Sequence, residues 1–295
     1  MPAKTARKVR TIIAVHPNAG VGAWYQRQLD ELLAEAHMEL ALQLSVVVAE
    51  AGGMPSAVEA GHVLRTYPQG VTTDGEPTWL IAHDAPPNIT KIDRQLKAWG
   101  DKWRLKFDKL SLTLAKKFAA RNFQHTEIAM RAALKSAGFT VNFKPTSASL
   151  AAYKGVIAEN VNLIRSIPEQ YLTGVRSAVW SSVNRGADMA TLSKSLRHNY
   201  GATVKRAALI SRDQNAKAKA VIENARRQEL GITQAIWQHS SAGKEPRPSH
   251  VAMNGKVFDL KQGMWDVDEQ QWILPGQLIN CRCTSRAIIP GLNES

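Results

Sequence analysis

Cysteine is nearly absent from this 295-residue sequence. The two present, Cys281 and Cys283, stand one residue apart and cannot staple distant parts of the chain, which excludes a secreted disulfide scaffold. Long apolar runs are also missing. With no stretch of about 18 uninterrupted apolar residues, no membrane span is expected. The basic start Lys4, Arg7, Lys8, Arg10 leads only into the short apolar run from Thr11 to Val15 before His16 and Pro17. That run is too brief for a signal-peptide core, so synthesis in a reducing cytoplasm is expected. Acidic residues are in deficit: 25 Asp and Glu face 38 Lys and Arg, for a net charge of +13. The excess favours an acidic partner, meaning nucleic acid, an anionic membrane surface or an acidic protein face, and says little about fold. What remains, 44% hydrophobic residues with 19 Gly and 13 Pro, is globular composition, and it excludes collagen-like and wholly disordered readings.

Apolar spacing predicts a mainly α chain with a small C-terminal α+β domain. The length exceeds the roughly 100–200 residues usual for one domain. Residues 1–145 read as an N-terminal helical region with a long loop at 52–90, where Gly and Pro cluster. Within it, Leu29, Leu32, Leu33, Ala36, Leu40 and Leu44 mark one helix. Leu96, Trp99, Trp103, Phe107, Leu110, Leu114 and Phe118 mark a second, their eleven-residue period keeping one apolar stripe. The alternation in Phe139-Thr-Val-Asn-Phe143 predicts a short strand. Residues 146–230 read as helical, with a new helix beginning at the Ser166-Ile-Pro-Glu169 capping box. Leu172, Val175, Val179 and Val183 form its buried side. Asp188 and Thr203 are expected as further caps, with Gly201 and Gly231 at helix C-termini. Residues 231–295 make the α+β domain, with strands expected at 232–238, at 256–258 and within 278–289.

Three constellations carry candidate chemistry. Lys205, Arg212, Lys219 and Arg226 recur every seven residues and make a slowly drifting cationic stripe, suited to phosphates or an acidic protein surface, beside an apolar face that includes Val221. An ordinary solvated face is the plain alternative. His250, Cys281 and Cys283 are the residues that resemble metal ligands. Two thiolates at i and i+2 and a crossing histidine would fill three corners of a tetrahedral zinc site, whereas buried cysteines serving as small apolar residues are the simpler account. No cofactor or metal is expected to be required. Finally, Glu245 to His250 places a carboxylate, a guanidinium, a hydroxyl and an imidazole close in sequence. That leaves open a nuclease or other hydrolase, metal-dependent or metal-free, acting on nucleic acid through His250 with Glu245, Arg247 and Arg282.

Several stretches, taken in order, resemble the Mu F-like minor head proteins of tailed bacteriophages and prophages. They are Glu159 to Leu172, Ala207 to Asn215, Arg226 to Ile232, Trp237 to Ser240, Pro246 to His250, Asn254-Gly-Lys256, Pro275-Gly and Ile279-Asn-Cys-Arg-Cys283. Many relatives in that family carry a Cys-x-x-Cys pair shortly before the histidine, where this chain has Pro246-Arg-Pro-Ser249, so a family metal site does not simply carry over. The resemblance implies a non-enzymatic minor capsid component near the portal vertex, required for head morphogenesis and concerned with DNA packaging or ejection. It implies the portal protein, the major capsid protein or scaffold, and packaged double-stranded DNA as partners. It also implies location in the virion head after synthesis in the host bacterial cytoplasm. His250, Gly255, Asn280, Cys281, Arg282 and Cys283 match the rest of its motif and, with Pro246 and Arg247, are expected to form the structural heart of the domain.

Overall fold

The computed structural model describes residues 9–52, 89–184, 189–241 and 245–293. Of the loop expected at 52–90, residues 52, 89 and 90 are helical, and the rest, like the expected cap Asp188, lie outside the described residues. The chain is mainly helical with a small antiparallel region at its C-terminal end, as the apolar spacing predicts. The long helices are α1 (Ala19–Gly52), α2 (Ile89–Ser136), α3 (Ser147–Asn184) and α4 (Met189–Glu229). A one-and-a-half-turn helix, α5, follows at Pro248–Met253. Strands β1 (Val9–Thr11), β2 (Gln234–Gln238), β3 (Val257–Asp259) and β6 (Thr284–Asn293) form an antiparallel sheet in the order β1-β6-β2-β3, and β4 (Met264–Asp266) pairs with β5 (Gln271–Ile273) in a separate hairpin.

Local chemistry explains the helix ends. Asn18 opens α1 by accepting the Val21 N–H on its side chain at 3.1 Å, as an N-cap does. α3 opens on a reciprocal capping box: the Thr146 hydroxyl accepts from the Ser149 N–H at 3.1 Å, while the Ser149 hydroxyl accepts from the Thr146 N–H at 2.9 Å, satisfying two donors that the first turn leaves over. α2 and α4 both stop at a left-handed glycine, Gly138 at φ 91° and Gly231 at φ 72°. In each, the next residue's N–H returns to a carbonyl five residues back, Phe139 to Leu134 at 2.9 Å and Ile232 to Arg227 at 3.0 Å, completing the terminating motif.

Several local expectations are corrected. The helix break at residues 166–169 does not occur: α3 runs through Pro168, the Ser166 hydroxyl donates back to the Leu163 carbonyl at 2.7 Å, and Glu169 turns away to pair with Arg104 at 2.5 Å. Tertiary packing overrides a local start signal there, since Ile164, Ile167, Tyr171 and Val175 are all buried on one continuous face. Gly201 and Thr203 lie inside α4, where the Thr203 hydroxyl donates to the Asn199 carbonyl at 2.8 Å. Residues 139–143 pair with no strand, yet Phe139, Val141 and Phe143 still pack on the core. Their alternation marks an extended segment laid over apolar side chains. Leu110 is 37% exposed, and Ser111, its hydroxyl donating to the Asp108 carbonyl, is buried beside the stripe instead.

Two compact units are built from interleaved stretches. One comprises Gln26–Thr113 and Val161–Ala208. Its core is aromatic: Trp99 and Trp103 are each 1% exposed, Trp99 meets Tyr171 edge-on at 5.8 Å, and its indole N–H donates to the Ala36 carbonyl at 3.1 Å. The cations of the α2 helix pair outward, Lys102 with Glu39 at 2.7 Å and Lys106 with Glu35. At the centre His37 bonds to the Tyr171 hydroxyl and stacks on Tyr200 at 4.2 Å. The other unit, Met1–Tyr25, Leu114–Asn160 and Leu209–Ser295, contains the six strands found among the described residues. Its core joins Ile12, Met130, Leu134, Ala235, Trp237, Phe258, Ile273 and Ala287 with the two cysteines.

Burial lowers the His37 pKa to about 4. The unfolded chain takes up that proton near pH 6.5 and the folded chain does not. The stability His37 confers when neutral is therefore complete above about pH 6.5 and is lost as pH falls toward 4, by about 3 kcal/mol at most. Urea unfolding across that window is expected to show a steeper acid loss in wild type than in His37→Asn. Parallel pH profiles would remove His37 as the cause.

Candidate functional site

Within the unit that holds the strands, the chain folds a buried knot of polar chemistry. His250 enters from α5, a helix that Pro248 begins without sacrificing a needed donor. Its ring is 2% exposed and meets Trp237 of β2 edge-on at 5.5 Å. Cys281 and Cys283, each 5% exposed, lie just before β6, and both sulfurs stand 3.5 Å from the same ring nitrogen, Nδ1 of His250. On the other side of the ring, Nε2 lies 3.2 Å from Asp266 Oδ2, close enough for an ion pair but off the hydrogen-bond axis. Asp266 is wholly buried. Its Oδ1 accepts the N–H groups of Asp268 and Glu269 at 2.9 and 3.1 Å, and its Oδ2 accepts the Ser249 hydroxyl at 3.1 Å.

The electrostatics follow from these contacts. For Asp266, burial works against ionisation, but the two backbone donors, the Ser249 hydroxyl and His250 outweigh it and hold the carboxyl below its ordinary range. The Cys283 thiol, with help from His250 and the Gly276 N–H, drives Cys281 toward the thiolate, and that charge pushes the Cys283 thiol up. Burial alone would depress His250. The bond to Cys281 and the nearby Asp266 charge reverse this and raise it. One sulfur drawn toward the thiolate and one held as the thiol therefore face the same imidazole nitrogen.

The surrounding loop is fixed to α4. Asn280 adopts φ 61°, a left-handed conformation that Asn tolerates better than most side chains. Its N–H donates to Asp213 Oδ1 at 2.9 Å and its side-chain oxygen accepts from Arg212 at 3.1 Å, while Arg247 donates to the Ile279 carbonyl at 3.1 Å. Gly276, at φ 86°, donates its N–H to Cys281 Sγ at 3.3 Å. Gly255, at φ 79°, donates to the Trp237 carbonyl at 2.9 Å. Pro246 and Arg282 are exposed at the margin of this arrangement. Asp266 and Asp213 were not singled out as site residues from sequence; Ser249 entered only as the hydroxyl of the Glu245–His250 loop and Gly276 only within the stretch Pro275-Gly. Of these only Asp266 left a local signal, an Asp two residues before the amide it caps.

The cationic stripe is corrected. Lys205 and Arg212 are exposed, but Lys219 is 3% and Arg226 4% exposed. Lys219 pairs with Glu223 at 2.9 Å, and Arg226 pairs with Glu127 and with Glu229 at 2.7 Å and donates to the Lys144 carbonyl at 2.6 Å. Val221, assigned to the apolar face, is 44% exposed. The hydrolase constellation also comes apart. Glu245 is exposed, the Ser249 hydroxyl is given to Asp266, and the His250 ring is enclosed by sulfur, carboxylate and indole.

Residues 173–286, from the middle of α3 into β6, match the model of the family described as phage Mu protein F like protein. The same region accounts for the knot around His250. Among curated proteins, the chain is 34% identical over 132 residues to an uncharacterized protein of Haemophilus influenzae, a match covering 45% of this chain and 28% of the relative. The chain thus spans well under half of that relative's length. No solved structure matches.

Two glycines separate a conformational requirement from an incidental one. A Cβ on Gly276 would sit at positive φ, 3.4 Å from Ala220 Cβ and 3.5 Å from the Cys283 carbonyl, whereas one on helical Gly201 would meet nothing within 4 Å. Gly276→Ala is expected to lose about 1–2 kcal/mol in urea unfolding. Gly201→Ala is expected to gain about 0.5–1 kcal/mol. Shifts of the same sign in both variants would contradict these backbone assignments.

Proposed function

We propose that the chain is a minor head protein of a tailed double-stranded DNA bacteriophage, a structural component near the portal vertex that is required for head morphogenesis. The observation that carries this reading is the family match over residues 173–286, which takes in the whole of α4 and the loop from Pro275 to Cys283. The partners are the portal protein, the major capsid protein or scaffold, and packaged DNA, and the location is the virion head after synthesis in the bacterial cytoplasm. Net charge +13 suits a neighbour of DNA or of an acidic portal face. No helix among the described residues is long and apolar enough to cross a membrane. A catalytic role for His250 has little support, because a ring 2% exposed cannot reach a nucleic-acid phosphate.

Charge and fold make separable contributions here. Lys205→Glu/Arg212→Glu reverses exposed cations and is expected to weaken binding to duplex DNA or purified portal while costing only about 1 kcal/mol, that of the Arg212–Asn280 hydrogen bond, since exposed charges otherwise add little stability. If DNA is the contact, each phosphate lost lowers the slope of log affinity against log salt by about 0.9. Arg226→Glu is expected to reduce soluble yield instead, because it strands Glu127 and Glu229 beside a buried like charge. Unchanged binding to both partners would remove these two cations from the proposed interface. Electron microscopy of particles assembled with the tagged chain, showing it away from the portal vertex, would overturn the reading itself.

A further inference from the structure

We propose that His250 Nδ1, Cys281 Sγ and Cys283 Sγ bind one zinc ion, with Asp266 as the positioning residue that holds the imidazole for it. The first argument is metric. With zinc–sulfur bonds of about 2.3 Å and zinc–nitrogen bonds of about 2.0–2.1 Å, a tetrahedral site separates nitrogen from each sulfur by about 3.6 Å. Both separations here are 3.5 Å, and all three donor atoms lie within 4.8 Å of one another. A Cys–His pair built for nucleophilic attack needs one sulfur on the imidazole, not two equidistant ones, and it needs a path for substrate that residues 2–5% exposed do not offer.

The second argument is the surrounding shell. Zinc-bound histidine usually gives its far nitrogen to a carboxylate, and zinc-bound thiolates accept backbone N–H groups. Asp266 stands beside the far nitrogen, its Oδ2 3.2 Å from Nε2 and within ion-pair reach, so that a small turn of the ring would complete the bond. The Gly276 N–H meets Cys281 Sγ at 3.3 Å, and the Ser240 backbone N–H serves Cys283. Donor softness selects the metal, since two thiolates with one imidazole favour zinc over the oxygen-preferring divalent cations. Binding balances as a proton exchange: zinc takes the place of any protons carried by the two sulfurs and Nδ1, and these leave to solvent. A water completes the fourth position. The ion joins α5 to the chain entering β6, so its role is to lock this region together.

The test uses the whole chain, purified under reducing conditions and equilibrated with zinc and, separately, cobalt(II). One zinc per chain by elemental analysis is expected, with sulfur-to-cobalt charge-transfer and tetrahedral ligand-field absorption in the cobalt form and a rise in melting temperature on adding zinc. Cys283→Ser should abolish the sulfur-to-cobalt band intensity at one equivalent. Asp266→Asn should keep the cobalt spectrum but weaken zinc affinity by about 10–100-fold. Should either variant fail to fold, the wild-type cobalt titration decides alone. Less than a tenth of a metal ion per chain, cobalt spectra without thiolate bands, or a Cys281–Cys283 disulfide in the reduced preparation would each overturn the site. Unaltered affinity in folded Asp266→Asn would overturn the role given to Asp266.

Discussion

The strand-bearing unit depends on how α4 carries charge out of water. Lys219, Glu223 and Arg227, each 3% exposed, form a ladder along one face, Lys219 to Glu223 at 2.9 Å and Arg227 to Glu223 at 2.5 Å. Removing such ions from solvent costs several kcal/mol each unless every partner is in place. The last partner is Ser285 in β6, whose hydroxyl and carbonyl accept from Arg227 at 2.7 and 2.9 Å. A shift of β6 along α4 would break both bonds and leave a guanidinium stranded. The ladder therefore fixes the register of β6. That register also sets Ser285 opposite Trp237 in β2, and it brings Cys283, two residues earlier, against His250.

Side chains that repeat along a helix were legible from the sequence, and side chains that converge from different elements were not. Leu29, Leu33, Ala36 and Leu40 on α1, and Trp99, Trp103 and Phe107 on α2, are buried where their spacing places them. Gly231 ends α4 because nothing else at that position competes with its left-handed preference. The capping-box spacing at Ser166 failed for a physical reason: Pro168 forfeits one amide bond, while an uninterrupted helix keeps Ile164, Ile167 and Tyr171 on one buried side. The better box, Thr146 to Ser149, uses serine in place of the usual acid and so escaped notice. At the site, His250, Cys281 and Cys283 were identifiable by residue type alone. Asp266 was not, since an aspartate seventeen residues past a histidine carries no sign that the chain returns to it.

The four cations at seven-residue spacing show the limit of periodicity as a guide to exposure. Spacing puts them near one line of the helix, but a line on a long helix passes through different surroundings. Lys205 and Arg212 remain exposed, whereas Lys219 and Arg226 are covered by acids from the same helix and from α2. The net charge of +13 consequently overstates what is presented in this region. Arg226 also lies over the Phe143 ring at 5.1 Å. The extended segment at 139–143 is thereby held by a cation on one side and by apolar core on the other, without a strand partner.

Compartment and cross-link chemistry bear on each other at the Cys281–Cys283 pair. A protein proposed to be made in bacterial cytoplasm and then carried in a virion passes between redox conditions, and a structural disulfide would form too late to help it fold. The unit nonetheless contains a short helix, a small hairpin and a sheet with three strands of five residues or fewer, elements that need ties beyond their own hydrogen bonds. Two ties are visible. The Arg227 ladder joins β6 to α4 through ion pairs and a serine, and the His250 knot joins α5 and the hairpin residue Asp266 to the segment entering β6. Neither requires an oxidant. Thiols held at an imidazole rather than to each other can therefore secure this region as soon as the chain is made, which accounts for two adjacent cysteines in a sequence that otherwise has none.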